Sequence, residues 1–295
     1  MTKVIVMIHG ALTAMVTPFT TDGQVDFDRL KENTTFQIDH GIDGLVPVGT
    51  TGESPTLSHK EHEQVIATVV EASAGRVKVV AGTGSNSTQE ALSLTRHSKS
   101  VGADAALMVN PYYNKPTQEG LYRHFMTVAD AVDLPIVLYN IPGRTNVTMT
   151  PHTVKRLAAH DNIVAIKEAT GSLDIASEIS LNCDIAIVSG DDSLTLPLIS
   201  VGGKGVISVL SNLIPDRIVA LVHAALDGEF DKARQLHLDL FPLFKAMFIE
   251  TNPIPIKTAM RLIGRDTGEL RLPMCEMADD NCAALEKQLR AYGLL

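Results

Sequence analysis

The sequence predicts an α/β fold: a (β/α)8 TIM barrel with a C-terminal helical domain. Eight short apolar runs end in or near turn-forming residues, segments with helical spacing lie between them, and strand-like runs stop after residue 212. Strands that alternate with helices pair in parallel through right-handed crossovers. Eight such units close naturally into a barrel. An open, doubly wound sheet is the alternative, but it rarely needs eight units in so regular an order.

The eight apolar runs are rich in Val, Ile, Leu and Ala, which is typical of parallel strands buried on both faces. They cover residues 11–18, 44–52, 77–84, 105–113, 135–142, 163–170, 185–191 and 205–212. Amphipathic segments at 28–40, 59–74, 88–100 and 118–132 predict helices between them. Ser58, followed three residues later by Glu61, predicts a capping box at the start of the second of these helices.

The chain after the last predicted strand has a helical pattern. Apolar periodicity predicts helices at 216–226, 231–248, 256–262 and 276–292. We therefore divide the chain into a catalytic barrel over residues 1–225 and a C-terminal helical domain over residues 226–295. The helical domain is expected to pack on the barrel or to take part in assembly.

Composition argues against several classes of function. The 295 residues carry a net charge of −9 with no basic run, which disfavours binding to nucleic acid or to an anionic membrane surface. No apolar stretch approaches the ~18 residues of a transmembrane helix, and residues 1–8 are too short for a signal peptide. The three cysteines lack CxxC spacing, as expected of free thiols in a reducing compartment. We expect a cytoplasmic protein.

The sixth predicted strand carries the most informative polar residue, because catalytic side chains of a barrel lie at the C-terminal ends of strands. Strand alternation places Ala165, Lys167 and Ala169 on one face, and Val164 and Ile166 on the other, toward the helices. A lysine in the barrel mouth is desolvated, which favours the neutral amine that attacks a ketone. A lysine ion-paired at a strand end is the alternative, and spacing alone does not decide between the two.

Other strand ends add candidate binding groups. The fifth strand ends at Tyr139, whose hydroxyl can pass protons, and Arg144 follows in a position to clamp a carboxylate. The second ends in Thr50 and Thr51 between glycines, a turn that suits a carboxylate. On these segments alone, a packed tyrosine, a solvated arginine and a turn without a ligand remain alternatives.

The remaining glycine-rich and acidic turns predict neither a cofactor nor a metal. The third strand ends in a glycine-rich turn that lacks both common nucleotide-binding patterns. The acidic turn at 189–192 has no nearby histidine, so we interpret it as helix capping.

Taken together, the strand ends resemble those of a known family. The motifs GTTGE at 49–53, YNIPGRT at 139–145 and IKEA at 166–169 are similar to signatures of the dihydrodipicolinate synthase / N-acetylneuraminate lyase family. Further similar motifs lie at 111–116, 252–257 and 271–274, so the resemblance runs from residue 11 to residue 273. It implies a barrel enzyme that binds pyruvate as a Schiff base.

The resemblance also implies a role for each matching residue. Lys167 would form the Schiff base, Tyr139 would move protons, and Thr51 would relay them between Tyr139 and Tyr113 of a neighbouring subunit. Thr50 and Thr51 would hold the carboxylate of pyruvate. The other matching positions would complete the pocket, with Arg144 at the entrance and Gly190 and Ile207 near the pyruvate.

Arg144 distinguishes between possible substrates. Sugar-acid lyases of this family usually lack an arginine at the matching position, so its presence implies condensation of pyruvate with L-aspartate 4-semialdehyde. The product would be 4-hydroxy-tetrahydrodipicolinate, on the route to diaminopimelate and lysine. A sugar-acid (2-keto-3-deoxy acid) aldolase is the first alternative. A catalytically silent binding protein is the second, and the intact Lys167, Tyr139 and Thr51 argue against it.

The resemblance implies regulation and assembly as well. A second set of positions matches the site that binds feedback L-lysine in lysine-sensitive members: Ser54, His59, His62, Asn86, Glu90 and Tyr112. An acid, an amide and a hydroxyl suit the charged ends of an amino acid. Pro55 stands where a related pattern carries Ala, which leaves the strength of inhibition open. The family suggests a homotetramer built as a dimer of dimers.

Overall fold

The computed structural model describes residues 8–295, which contain a closed barrel of eight parallel strands. Each strand pairs with the next along the chain, and the last pairs with the first to close the barrel. The strands are β1 Gly10–Ala14, β2 Gly44–Val46, β3 Lys78–Gly82, β4 Ala105–Val109, β5 Ile136–Asn140, β6 Ile163–Glu168, β7 Ala186–Ser189 and β8 Gly205–Ser208. The predicted TIM barrel is confirmed.

Helices surround the barrel and continue beyond it. They are α1 Phe27–Asp39, α2 His59–Ser73, α3 Thr88–Ser100, α4 Gln118–Ala131, α5 Pro142–Thr145, α6 Pro151–Ala158, α7 Leu173–Asn182, α8 Thr195–Ser200, α9 Pro215–Leu226, α10 Phe230–Ala246, α11 Ile254–Leu262 and α12 Asp279–Tyr292. The last three form the helical C-terminal region. Within residues 8–295, no helix has the length and apolar character needed to cross a membrane. The expectation that residues 1–8 are too short for a signal peptide concerns mainly residues 1–7, which lie outside the residues that the structure describes.

The strands are shorter than the apolar runs that predicted them. Strand β2 ends at Val46, because Val48 adopts a left-handed backbone (φ 57°) and the Gly52 N–H donates to the Gly49 carbonyl at 3.1 Å. The turn passes close to β3 at Gly82, which is possible because glycine has no side chain. A Cβ at this position would lie 2.2 Å from the Val48 carbonyl oxygen. Residues 47–53 therefore form a loop at the barrel mouth instead of extending β2.

The core is aliphatic and lies in two layers. Side chains such as Leu12, Leu107 and Val137 fill the barrel interior. On the outer face of the sheet, between the strands and the helices, one buried cluster extends from Ala11 of β1 to Leu285 of α12. The C-terminal helices therefore share a hydrophobic core with the barrel. The division into two domains at residues 225 and 226 stays a prediction.

Strand β6 follows the predicted alternation with one exception. Ala165 faces the barrel interior and Ile166 packs on the helix side. Val164, expected to face the helices, instead packs against the interior cluster. The register between β5 and β6 shifts between Ile136 and Val137, which leaves Val164 as the extra residue of a bulge.

The predicted capping box at the start of α2 is confirmed and has a further partner. The Ser58 hydroxyl accepts from the Glu61 N–H at 3.3 Å, and the Glu61 carboxylate accepts from the Ser58 N–H at 2.8 Å. Arg271, after α11, donates to both oxygens of Glu61 at 2.6 and 3.0 Å. This contact holds the pKa of Glu61 at about 2. The cap thereby also attaches the C-terminal region to α2.

A buried ion pair connects α11 to the loop after β2. Lys257 Nζ donates to Glu53 Oε1 at 2.7 Å and to the Thr17 carbonyl at 3.0 Å. Lys257 is 0% and Glu53 3% exposed. The second oxygen of Glu53 accepts from the Arg271 N–H at 3.2 Å. Burial removes both charged groups from water, so each relies on the opposite charge of the other to offset the lost hydration.

The variant Lys257→Met would leave the Glu53 carboxylate buried without its cation. We expect the free energy of unfolding to fall by about 3–5 kcal/mol, the range for breaking a buried pair by removing one partner. Denaturant unfolding measures the loss. The double variant Glu53→Gln/Lys257→Met should recover part of it.

The control is Lys232→Met, which removes a surface cation of α10 and should change stability little. A Lys257→Met protein as stable as this control would contradict the role assigned to the pair.

Candidate active site

Six of the residues predicted for the substrate site line one cavity at the barrel mouth. They come from the turn after β2, the ends of β5 and β6, the short helix α5 and the turn after β7, which are C-terminal ends of different strands. The six are Thr50, Thr51, Tyr139, Arg144, Lys167 and Gly190. The fold therefore unites residues that lie up to 140 positions apart (190 − 50) in the chain.

Lys167 lies deep in this cavity. Its side chain is buried, with 6% exposure, and Nζ lies 4.3 Å from the centroid of the Tyr139 ring. The two residues are direct neighbours in the β5–β6 register. Gly190 gives the lysine its space, since a Cβ there would lie 2.5 Å from Ala169 Cβ and 3.1 Å from Lys167 Cε. The amine is thus held in a narrow space beside an aromatic hydroxyl side chain.

Two acidic residues flank Lys167 in different ways. Asp191 lines the same cavity; burial raises the pKa of its carboxyl, and the positive charge of Lys167 opposes that shift. Glu168 is the next residue of β6, and its carboxyl accepts from the Thr170 N–H at 2.7 Å. Burial raises the pKa of Glu168 as well. Asp191 is therefore placed to balance a cation formed at the lysine nitrogen.

The turn after β2 presents hydroxyl and amide groups to the cavity. Thr51 is 2% exposed, and its Oγ1 accepts from Asn252 Nδ2 at 2.9 Å. The N–H groups of Gly52 and Glu53 donate to carbonyls within the turn. Those of Thr50 and Thr51 donate to no backbone carbonyl among residues 8–295. This arrangement can receive a small anion.

Arg144 lies between the inner cavity and a larger outer one. It is exposed on α5, and its Nη2 donates to the Asn252 carbonyl at 3.1 Å. The outer cavity has a volume of about 350 Å³, and its wall is mainly apolar surface, to which Val109, Pro253 and Met274 contribute. A guanidinium at this junction is suited to binding a carboxylate that enters from outside.

Two predicted residues do not line the inner cavity. Ile207 is buried in the barrel interior, where it belongs to the aliphatic cluster. Tyr113 is 90% exposed and has a left-handed backbone with φ 71°. The structure of one chain therefore does not bring Tyr113 into the cavity that holds Tyr139 and Thr51.

Among the polar and aromatic residues that line the cavity, sequence reasoning missed three: Asp191, Phe248 and Asn252. Asp191 was interpreted only as part of a helix-capping turn. Asn252 belongs to the motif at 252–257, which carried the family resemblance but suggested no role. Phe248 gave no signal, since an aromatic residue at the end of a helix is usually a packing residue.

A separate cavity of about 150 Å³, called the second cavity below, gathers most of the predicted regulatory residues. Its lining includes Ser54, His59, His62, Glu90 and Tyr112, together with Ser85, which was not predicted. Asn86, predicted as a sixth member, does not line it; its carbonyl accepts from Asn114 Nδ2 at 2.8 Å.

Glu90 is the centre of charge in this second cavity. Its two carboxylate oxygens contact the Ser85 hydroxyl and the His59 ring. The Ser85 hydrogen bond, followed by His59, lowers the pKa of Glu90. His62 is buried and donates from Nε2 to the Gly82 carbonyl at 2.7 Å, and burial lowers its pKa. The cavity therefore offers an anionic group beside neutral polar ones.

The chain is similar to known proteins over nearly its whole length. The sequence model of the Dihydrodipicolinate synthetase family matches residues 7–292. The 4-hydroxy-tetrahydrodipicolinate synthase of Methanocaldococcus jannaschii is 55% identical over 290 residues, which cover 98% of this chain and 100% of that protein.

Solved structures agree over nearly the whole chain. The pyruvate complex of the chloride-inhibited dihydrodipicolinate synthase of Acinetobacter baumannii has a TM-score of 0.95 and 42% identity, covering 98% of this chain and 100% of that one. The enzyme of Cyanidioschyzon merolae with lysine bound has a TM-score of 0.95 and 42% identity, covering 97% and 99%. A monomeric dihydrodipicolinate synthase variant has a TM-score of 0.95 and 41% identity, covering 98% of each chain. This chain belongs to the Dihydrodipicolinate synthetase family.

Proposed function

We propose that this protein is a lyase that condenses pyruvate with L-aspartate 4-semialdehyde to 4-hydroxy-tetrahydrodipicolinate, through a Schiff base at Lys167. The observation that carries the proposal is the buried amine of Lys167 in a cavity with Tyr139, Thr51 and Arg144. The relatives that carry the synthase name, at 50–56% identity, support the reaction. The pathway is that of diaminopimelate and lysine. A cytoplasmic location stays a prediction.

The reaction begins with attack of the Lys167 amine on the ketone of pyruvate. A water molecule leaves, and the protonated imine then acts as an electron sink, so the methyl group loses a proton and becomes an enamine. The enamine carbon attacks the aldehyde of the semialdehyde. The amino group of that substrate attacks the imine carbon, closes the ring and expels Lys167.

Each of these steps moves a proton at a particular atom, which a positioned hydroxyl does better than bulk water. In the proposal Tyr139, beside the lysine nitrogen, takes and returns protons, and Thr51 passes them onward. Thr50 and Thr51 hold the carboxylate of pyruvate through hydroxyls and the two amides without a backbone acceptor. Gly190 and Ile207 shape the pocket, and Asp191 balances the charge of the imine.

Arg144 is proposed to bind the carboxylate of the semialdehyde. Its position at the junction of the two cavities supports an entering anion. It also distinguishes this reaction from cleavage of a 2-keto-3-deoxy sugar acid, whose polyol chain has no need for a cation at this point.

The variant Arg144→Leu is expected to raise KM for L-aspartate 4-semialdehyde by about 10- to 100-fold, because a charge-assisted hydrogen bond is lost. The KM for pyruvate should change much less. Steady-state assays with both substrates measure the effect, and Arg123→Leu, on the exposed face of α4, is the control.

Two results would count against this assignment. One is cleavage of a 2-keto-3-deoxy acid by a wild-type protein that leaves the semialdehyde untouched. The other is an unchanged semialdehyde KM in Arg144→Leu.

Tyr113 is proposed to act in the site of a neighbouring subunit, within a homotetramer built as a dimer of dimers. Its 90% exposure and left-handed backbone support a side chain that projects from its own chain. The apolar outer cavity beside Arg144 offers space for an aromatic side chain from a second copy. Because one relative is a monomeric variant, the assembly calls for a direct test.

The variant Tyr113→Phe is expected to slow turnover at least tenfold without loss of fold, since one relay hydroxyl is removed. Mixing it with Lys167→Ala by joint refolding should restore activity. In a mixed dimer one site has both native residues, so an equal mixture should reach about a quarter of wild-type activity.

Normal turnover of Tyr113→Phe would remove this residue from the relay. A slow variant that the mixture fails to rescue would contradict action between subunits.

L-lysine is proposed to bind in the second cavity as a feedback inhibitor. The anionic Glu90 suits an ammonium group, and a relative has been solved with lysine bound. Ser54, Pro55 and Tyr112 line both this cavity and the outer cavity, which gives a short physical route between them.

Millimolar L-lysine is expected to inhibit the wild-type enzyme, and Glu90→Gln should weaken inhibition about tenfold by removing the anion. Activity at increasing lysine concentration measures this. Glu63→Gln, a surface change on α2, is the matched control and should keep normal inhibition. Full wild-type activity at millimolar lysine would refute the proposal.

A further inference from the structure

Asn252, from the segment between α10 and α11, contacts two groups of the candidate active site. Its Nδ2 donates to Thr51 Oγ1 at 2.9 Å, and its carbonyl accepts from Arg144 Nη2 at 3.1 Å. The residue is 5% exposed and lines both the inner and the outer cavity. It therefore lies between the group proposed to hold pyruvate and the group proposed to hold the aldehyde substrate.

The direction of the contact with Thr51 has a chemical consequence. A threonine hydroxyl has one proton to donate. Because the amide N–H of Asn252 donates to Thr51 Oγ1, that contact uses a lone pair and leaves the Thr51 proton free to point elsewhere. Thr51 lines the cavity together with Tyr139 and Lys167, so its proton is available to the reacting molecule.

We propose that Asn252 is a positioning residue that orients the Thr51 hydroxyl for proton relay and holds Arg144 through its main-chain carbonyl. The inference rests on the proposed function, because it concerns the efficiency of that chemistry. Asn252 acts through Thr51 and Arg144 and takes no proton itself.

An asparagine at position 252 lowers the stability of the folded protein, and this cost supports its proposed positioning role. Asn252 Oδ1 is buried and has no hydrogen-bond partner among residues 8–295. A buried, unpaired polar atom destabilises the folded state, and an apolar side chain of similar shape would avoid that penalty. The benefit of asparagine here therefore lies in its N–H donor, whose acceptor is Thr51.

The backbone around Asn252 is held firmly enough to position other groups. The Ile254 N–H donates to the Thr251 carbonyl and the Lys257 N–H to the Pro253 carbonyl, both at 3.0 Å. The ion pair between Lys257 and Glu53 anchors this helix start to the same loop that carries Thr51. The backbone hydrogen bonds and the ion pair together fix the Asn252 amide relative to the Thr51 hydroxyl that accepts its hydrogen bond.

The experiment compares wild type, Asn252→Leu, Thr51→Val and the Thr51→Val/Asn252→Leu double variant. The rate at which pyruvate forms a borohydride-trappable adduct is measured for each, with KM for the semialdehyde where turnover permits. We expect Asn252→Leu to slow adduct formation about tenfold. KM for the semialdehyde should change less than about threefold, because the main-chain contact to Arg144 remains.

The double variant separates positioning from simple support of the fold. If Asn252 acts through Thr51, adding Asn252→Leu to Thr51→Val has little further effect on adduct formation, a coupling that a double-mutant cycle detects. Fully additive losses would overturn the inference. So would adduct formation by Asn252→Leu within twofold of wild type.

A second variant gives an independent readout. In Asn252→Asp, an ionised carboxylate accepts from Thr51 and reverses the hydrogen bond, whereas the protonated acid can donate as the amide does. The ratio of the Asn252→Asp rate to the wild-type rate should therefore rise as pH falls. A ratio independent of pH would contradict the proposed donor role.

The control is Asn162→Leu, at the opposite end of the barrel, where the amide donates to the Ala129 and Val132 carbonyls at 3.1 and 3.2 Å. It should lose stability yet keep the wild-type adduct rate; equal slowing in both leucine variants would overturn the inference. A wild-type protein that forms no adduct would instead refute the proposed function, so the two failures are distinguishable.

Discussion

The placement of the Lys167 amine in a narrow, water-poor barrel mouth is the constraint on which the candidate site depends. Parallel strands bring their carboxyl ends to one rim, and the register of β5 and β6 sets Lys167 beside Tyr139. Gly190, in the turn after β7, leaves space that any larger residue would fill. The surrounding aliphatic side chains exclude water, so the few polar groups at the rim act on a bound molecule with little competition from solvent.

The C-terminal helical region completes this site. The loop after β2 passes close to β3 at Val48, and Glu53 at its end is held by Lys257 from α11. Asn252, just before that helix, reaches Thr51 and Arg144. The loop that is proposed to bind pyruvate thus depends on contacts from residues about two hundred positions later in the chain. In the proposed function, substrate binding therefore depends on the docking of the C-terminal helices onto the barrel.

Much of the barrel and its rim could be predicted from local patterns. Alternation in β6 placed Ala165 and Lys167 on the interior face, because a strand has a period of two residues. Val164 does not follow this alternation, because the bulge that turns it inward depends on the pairing of β6 with β5. Asn252 could not be found from spacing, because its acceptor lies 201 residues away in the chain. Asn86 follows Ser85 of the second cavity in sequence, but it is not among the residues that line that cavity.

The most direct test of the central claim is to treat the protein with pyruvate and borohydride and to locate the adduct by mass spectrometry of peptides. We expect one reduced pyruvate adduct, on the peptide that contains Lys167, and none in Lys167→Ala. Lys257 is an internal comparison, because it is also buried but is paired with Glu53. No adduct, or an adduct on a different lysine, would contradict Schiff-base formation at Lys167.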